Sequence, residues 1–300
     1  MNKIKTSKIL IPVDFSKTSL NAIKYAAFMA KYTKGELVLV HVQSKTELLD
    51  IILPAIKLKD VSVITDFLYE KLEKIAGDIK KRYGIPVSSF VTTGHVTSEV
   101  INMAEETKAT MVVMGTHGKD SDNGFFLGSN AYRVLTKSDI PVMTVQTAAD
   151  KLGFQNILVP IDTSDHSRQK VDSAIFMADK FAAKLHIIGI LHSGNQGEKN
   201  YKYKMEVILD QIKKMADKKK ISCTTDIQFA DNRAKTTLEY AKKVKADLIL
   251  SMTDQNAEFS SVVLGNYIHQ LTNESKIPVL CIPPELNPDM LNGAIGGLEY

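Results

Sequence analysis

Lys8-Ile9-Leu10-Ile11-Pro12-Val13-Asp14-Phe15-Ser16 is a short apolar run that ends in an acidic residue and a hydroxyl. It returns as Gln155-Asn156-Ile157-Leu158-Val159-Pro160-Ile161-Asp162-Thr163-Ser164, with the aspartate shifted by 148 positions. Behind each run lies the same helical pattern. Ile23, Ala26, Ala27 and Ala30 correspond to Val171, Ala174, Ile175 and Ala178, the i, i+3, i+4, i+7 spacing of a buried helix face. A second pair closes each copy: Ser138-Asp139-Ile140-Pro141-Val142-Met143-Thr144-Val145 matches Ser275-Lys276-Ile277-Pro278-Val279-Leu280-Cys281-Ile282, shifted by 137. The chain is a tandem repeat whose second copy is eleven residues shorter in its middle, the difference between those two shifts. The expected units are residues 1–147 and 153–284, with a polar junction between Thr147 and Gly153 and a tail over 285–300.

Within the first copy, apolar stretches alternate with helical periods. Strands are expected over Ile9–Val13, Leu37–Val42, Val87–Thr92, Thr110–Met114 and Val142–Val145. Helices are expected over Ser19–Tyr32, about 61–82, Ser98–Thr107 and Asn130–Lys137, with Ser16 or Thr18 able to cap the first. The second copy repeats the strands at Ile157–Ile161, Leu185–Ile190, Thr224–Phe229, Leu248–Met252 and Val279–Ile282. That order belongs to the α/β class, a parallel sheet with right-handed crossovers and helices on both faces. Such sheets bind ligands beyond the carboxyl ends of their strands, where strand order reverses. Function is therefore sought after Val13, Val42, Val91 and Met114.

Composition narrows the class of answer. Of 300 residues, 24% are charged and 44% hydrophobic, which excludes a disordered or collagen-like chain. Thirty-eight basic against 34 acidic residues leave a net charge of +4 with no long basic block, so a nucleic-acid partner is not expected. Lys218-Lys219-Lys220 reads as the solvated end of a helix. No uncharged run approaches the ~20 residues of a membrane span, and a cytoplasmic location is expected. Cys223 and Cys281 have no partner spacing and read as idle thiols of a reducing compartment.

Chemistry concentrates after the fourth strand. Gly115-Thr116-His117-Gly118 is followed by nine residues and then Gly128-Ser129 at the start of a helix. Glycines let the backbone approach a ligand closely, and the amides of a helix N-terminus favour an anion. Tight turning and simple capping would account for the same residues, but their convergence at the ligand edge of the sheet favours phosphate. The spacing Gly-x2-Gly-x9-Gly-Ser, with Pro12-Val13-Asp14 after the first strand and His41-Val42 closing the second, resembles the nucleotide-binding pattern of the universal stress protein family. The resemblance covers residues about 5–147 and 153–284. It implies two flavodoxin-like or adenine-nucleotide-hydrolase-like α/β sandwiches, each with a five-stranded sheet, paired through their fifth strands as an internal pseudo-dimer; a homodimer is also expected. It further implies ATP, with Mg²⁺ as a possible companion, in the first copy. Pro12, Val13 and Asp14 would line the adenosine pocket and Val42 would meet the adenine edge. Met114, Gly115, Thr116 and Gly118 would wrap ribose and phosphates, and Gly128, Ser129 and Asn130 would hold the phosphate tail.

The second copy departs from this pattern. Read along the sequence, Ser251 and Asp254 stand where the first copy has Gly115 and Gly118, and the stretch to Gly265-Asn266 is one residue longer. A carboxylate there opposes phosphate, so the second copy is expected to bind ATP weakly or not at all. No GxxxxGK[ST], GxGxxG or GxSxG motif occurs, and no catalytic or metal-binding set is assigned. His41 reads as a packed histidine whose ring finds a carbonyl; His117, Lys119, Asp120 and Asp122 read as loop residues. The apolar stretch Glu47–Ile56 reads equally as a lid or interaction patch, or as a packed helix. The function expected is a stress-response module in which ATP orders the 119–127 loop. A nucleotide-free scaffold, a partner-binding stress protein and a slow ATPase remain as alternatives.

Overall fold

Ile9, Leu10 and Ile11 are apolar in unbroken succession, as a strand covered on both faces must be. In the computed structural model all three are fully buried. The structure describes residues 7–43, 61–116, 128–146, 152–195, 197, 199–253 and 264–284. The junction at 147–151, the Glu47–Ile56 stretch, the 119–127 loop and the tail from 285 lie outside them.

The first copy runs β1 (Lys8–Pro12), α1 (Lys17–Thr33), β2 (Glu36–Gln43), α2 (Val61–Tyr83), β3 (Val87–Thr93), α3 (Val96–Glu106), β4 (Met111–Gly115), α4 (Ser129–Lys137) and β5 (Val142–Val145). The second runs β6 (Asn156–Ile161), α5 (Asp165–Arg168), α6 (Val171–Phe181), β7 (Lys184–His192), α7 (Lys199–Lys218), β8 (Cys223–Ala230), α8 (Arg233–Lys243), β9 (Leu248–Met252), α9 (Leu264–Glu274) and β10 (Val279–Ile282). Each expected strand is present, within two residues at either end. Ser16 is the cap of α1, accepting a hydrogen bond from the Ser19 amide at 3.2 Å.

The five strands of each copy join into one sheet in the order β3-β2-β1-β4-β5-β10-β9-β6-β7-β8. Neighbours within a copy are parallel, and the seam β5·β10 is antiparallel, pairing Met143 with Leu280. Alternate residues point to opposite faces. Ile9 and Ile11 join one buried layer and Leu10 the other, and both layers run through both copies. The fifth strands thus couple the copies by main-chain bonds as well as by a shared core. Cys281 lies wholly inside this core, and burial pushes its thiol up to about 12. Burial and Asp217 push the half-buried Cys223 up to about 11, so both thiols stay protonated and unreactive at neutral pH.

Phe154 closes the seam on one face. Its ring lies 5.8 Å from Phe28 on α1 and 5.1 Å from Phe181 on α6, centroid to centroid, so it wedges between helices of different copies. It is 1% exposed. Phe154→Ala is expected to lower the unfolding free energy by about 3–5 kcal/mol, the cost of deleting a fully buried ring. Urea unfolding measures this, and a loss below about 1 kcal/mol would mean that the wedge is not what holds the helices together.

Candidate functional site

In each copy the chain leaves its first strand in one direction, through the second and third, and then returns to build the fourth and fifth on the other side. The switch point in the first copy lies between β1 and β4, and a cleft of about 390 Å³ opens there at the carboxyl ends of β1, β2 and β4. That volume is within the ~300–1,000 Å³ common for small-molecule sites. Pro12, Val13 and Asp14 line it from β1 and the turn after it, Val42 from β2, and Met114, Gly115 and Thr116 from β4 and its end. Gly128, Ser129 and Asn130 line it from the start of α4. Ten residues singled out in the sequence therefore share one cavity, and Gly118 lies outside the described residues. Ser19, Val40, Val96 and Ala131 also line it. Sequence reasoning missed them because small or apolar residues carry no chemical signature.

Asp14 builds the turn that shapes one wall. Its Oδ1 accepts the Ser16 amide at 2.9 Å, and Ser16 then caps α1. Among the described residues its other carboxylate oxygen has no partner. His41 reaches across from β2, its Nδ1 2.6 Å from the Val13 carbonyl oxygen, as expected of a packed histidine. Between these anchors Phe15 adopts the left-handed region at φ 63°, unusual for an aromatic residue. Its ring is held 4.9 Å from His41 and 4.1 Å from the Lys71 ammonium. The turn is thus fixed from three sides.

Gly115 lets the opposite wall close in. A Cβ there would come within 2.8–2.9 Å of Thr18 and of the Ser19 amide nitrogen, so α1 can start directly against the end of β4 only because the side chain is missing. Gly128 plays a different part from the one expected. Its amide donates to the Thr116 carbonyl at 2.7 Å, which fastens the two ends of the 117–127 segment together. The Thr116 amide is likewise spent on Val145, at 3.1 Å. Among the described residues the free donors are those of Ser129, Asn130 and Ala131. They precede the first bond of α4, from the Tyr132 amide to Gly128 at 3.0 Å, and Gly128 has no side chain to cap them. Uncapped amides at the positive end of a helix dipole favour an anion.

The equivalent region of the second copy is built otherwise. Strand pairing sets Gly115 opposite Val145 and Met252 opposite Ile282, so Met252, not Ser251, occupies the glycine position. The intervening stretch then has equal length in both copies, and Gln255 rather than Asp254 falls at the place of Gly118, outside the described residues. The helix that is continuous as α1 in the first copy is split into α5 and α6 in the second. Asp162 keeps the turn, its Oδ1 accepting the Ser164 amide at 2.9 Å, but its Oδ2 is taken by Arg233 Nη2 at 2.7 Å. Burial pushes the Asp162 carboxyl up, yet hydrogen bonds from Ser164 and the charges of Arg233 and Lys170 outweigh it and hold it below its ordinary 3.8.

The sequence model of the Universal stress protein family matches residues 5–146 and again 153–283. Universal stress protein MJ0531 of Methanocaldococcus jannaschii is 32% identical over 142 residues, 46% of this chain and 81% of that protein. Universal stress protein MJ0577 of the same organism is 30% identical over 152 residues, 46% of this chain and 94% of that protein. A universal stress protein of Archaeoglobus fulgidus, solved as a crystal structure, superposes with a TM-score of 0.75 at 20% identity. That superposition covers 95% of this chain and 98% of the other, a likeness of fold along the full tandem arrangement.

Asp162 gives the second copy an acid sensitivity. A carboxyl held below its ordinary value contributes stability in full above that value and loses it as pH falls through the lower folded one. The parent's urea midpoint should therefore fall more steeply below about pH 4 than that of Asp162→Asn, which starts lower at neutral pH and has a flatter acid limb. Parallel profiles would show that the carboxyl gains nothing from its partners.

Proposed function

The chain belongs to the universal stress protein family, and from that premise we propose that its first cleft binds an adenine nucleotide, ATP, making the protein a nucleotide-responsive module of a cytoplasmic stress response. The observation that carries this reading is the pairing of two features in one cavity. At one end stand the uncapped amides of Ser129, Asn130 and Ala131; at the other, Asp14 presents a carboxylate oxygen without a partner among the described residues. The first suits a phosphate chain, and the second accepts hydrogen bonds from hydroxyl or amino donors of a nucleoside. Between them Val40, Val42 and Met114 offer apolar surface to a base.

In this reading Pro12, Val13, Asp14 and Val42 hold the nucleoside, Met114, Gly115 and Thr116 wrap the ribose, and Ser129 and Asn130 bind the phosphate tail, joined by Gly118 once the ligand is in place. Gly128 serves by fastening the loop to the strand end. The units 1–147 and 153–284 act as an internal pair, the first carrying the ligand. The 117–127 segment enters and leaves at the phosphate end, so a bound nucleotide changes the surface offered to a partner.

Ser129→Asp separates binding from folding. A carboxylate in the first turn of α4 is favourable to the helix, so thermal stability should hold or rise, whereas the same charge opposes phosphate. By calorimetry the parent should take up one ATP per chain, and Ser129→Asp should bind ATP at least about tenfold more weakly, a loss of ~1.4 kcal/mol, with adenosine affinity little changed. Absence of ATP binding in the parent would support a nucleotide-free scaffold instead.

A further inference from the structure

The two copies carry the same turn and the same aspartate but different residues facing it. Aligned through α3 and α8, Val96 of the first copy corresponds to Arg233 of the second, and through α4 and α9 Asn130 corresponds to Tyr267. Aligned through the first helices, Ala22 corresponds to Lys170. In the first copy Val96 and Asn130 line open space beside Asp14. In the second, the Arg233 guanidinium spans the matching interval. It donates to Asp162 Oδ2 at 2.7 Å and lies 5.1 Å from the centre of the Tyr267 ring. The Tyr267 hydroxyl is in turn 3.3 Å from Thr237 Oγ1, on the same helix as Arg233. Lys170, 3% exposed, is held by the Ser167 carbonyl at 2.9 Å and adds a second positive charge near Asp162. A carboxylate oxygen unpaired among the described residues of the first copy, a wall that is aliphatic and a floor that is a small amide have become an ion pair, a cation and an aromatic ring.

We propose that Arg233 is a tethered occupant of the second cleft, its guanidinium standing on Asp162 and Tyr267 where the first cleft leaves room for a nucleoside, so that the chain binds one adenine nucleoside rather than two. The arrangement satisfies Asp162 from within. A planar guanidinium suits both a carboxylate and an aromatic face, which a lysine at this position would match less well. Because it is covalently attached, the guanidinium competes with any free ligand at a high effective concentration. The proposal rests on the nucleotide reading of the first cleft for the size and chemistry of the excluded ligand, but its contacts are independent of that reading.

Adenosine is the suitable probe, since it reports the nucleoside end alone and not the differing phosphate loops. Equilibrium dialysis compares the full-length parent with Arg233→Val/Tyr267→Asn, which installs the first copy's own residues. One adenosine per chain in the parent and two in the double variant, with the second lost on adding Asp162→Ala, is the expected result. One in both overturns the proposal and leaves the first cleft's reading intact. None in the parent and one in the variant supports the proposal while the first cleft's reading fails. None in either overturns both. If the double variant loses its cooperative thermal transition, Arg233→Gln, which shortens and discharges the side chain, carries the same comparison with the same outcomes.

Discussion

The close approach of the first helix to the end of the fourth strand shapes the first copy around its cleft. In the first copy Gly115 removes the atom that would collide with Thr18 and with the Ser19 backbone, and α1 starts against β4 as one continuous helix. That contact brings the start of α1 against the strand end that lines the cleft. The Asp14 turn is in turn pinned by the Ser16 cap and by His41, with Phe15 held in a conformation that an aromatic residue seldom adopts without support. The cleft is therefore preformed by protein contacts on every described side. A ligand entering it meets donors and acceptors whose ordering cost was met when the chain folded.

In the second copy the residues at the corresponding positions are different. Met252 stands at the glycine position, the helix is split, and the aspartate that survives is neutralised by Arg233 and Lys170. Its architecture is nonetheless intact, because the sheet does not depend on the cleft. Strands β6 to β10 continue the same two buried layers as β1 to β5, and the antiparallel seam with Phe154 wedged beside it makes the second copy a fixed partner of the first. The two copies thus share one sheet while the residues around their common aspartates differ.

Most of the fold was legible because it rests on short-range patterns. Unbroken apolar runs marked the buried strands, alanine-rich helical periods marked the faces against the sheet, and the repeated Pro-Val near each copy's end marked the fifth strands. The cleft was legible because Pro12, Val13, Asp14, Met114, Gly115 and Ser129 lie at strand and helix ends, where turn chemistry is written in residue type. What escaped depends on proximity that spacing does not encode. The one-residue slip that set Ser251 against Gly115 arose because the second copy has no glycine there to fix the register; the pairing of Met252 with Ile282 corrects it. The donation from Gly128 to Thr116 spans a loop and shows only in three dimensions. Arg233 meets Asp162 across 71 residues, and nothing local distinguishes it from any other first-turn arginine.

In the proposed reading the start of α4 and the Asp14 turn form two ends of one ligand site in the first copy alone. Amide-resolved NMR of the labelled full chain during titration with ATP tests it most directly. Saturable shifts concentrated at Ser129, Asn130, Ala131 and the Asp14–Ser16 turn are expected, with the Asp162–Ser164 turn and Tyr267 unmoved. Shifts centred on the second copy, or shifts that never saturate and track no cleft, would contradict it.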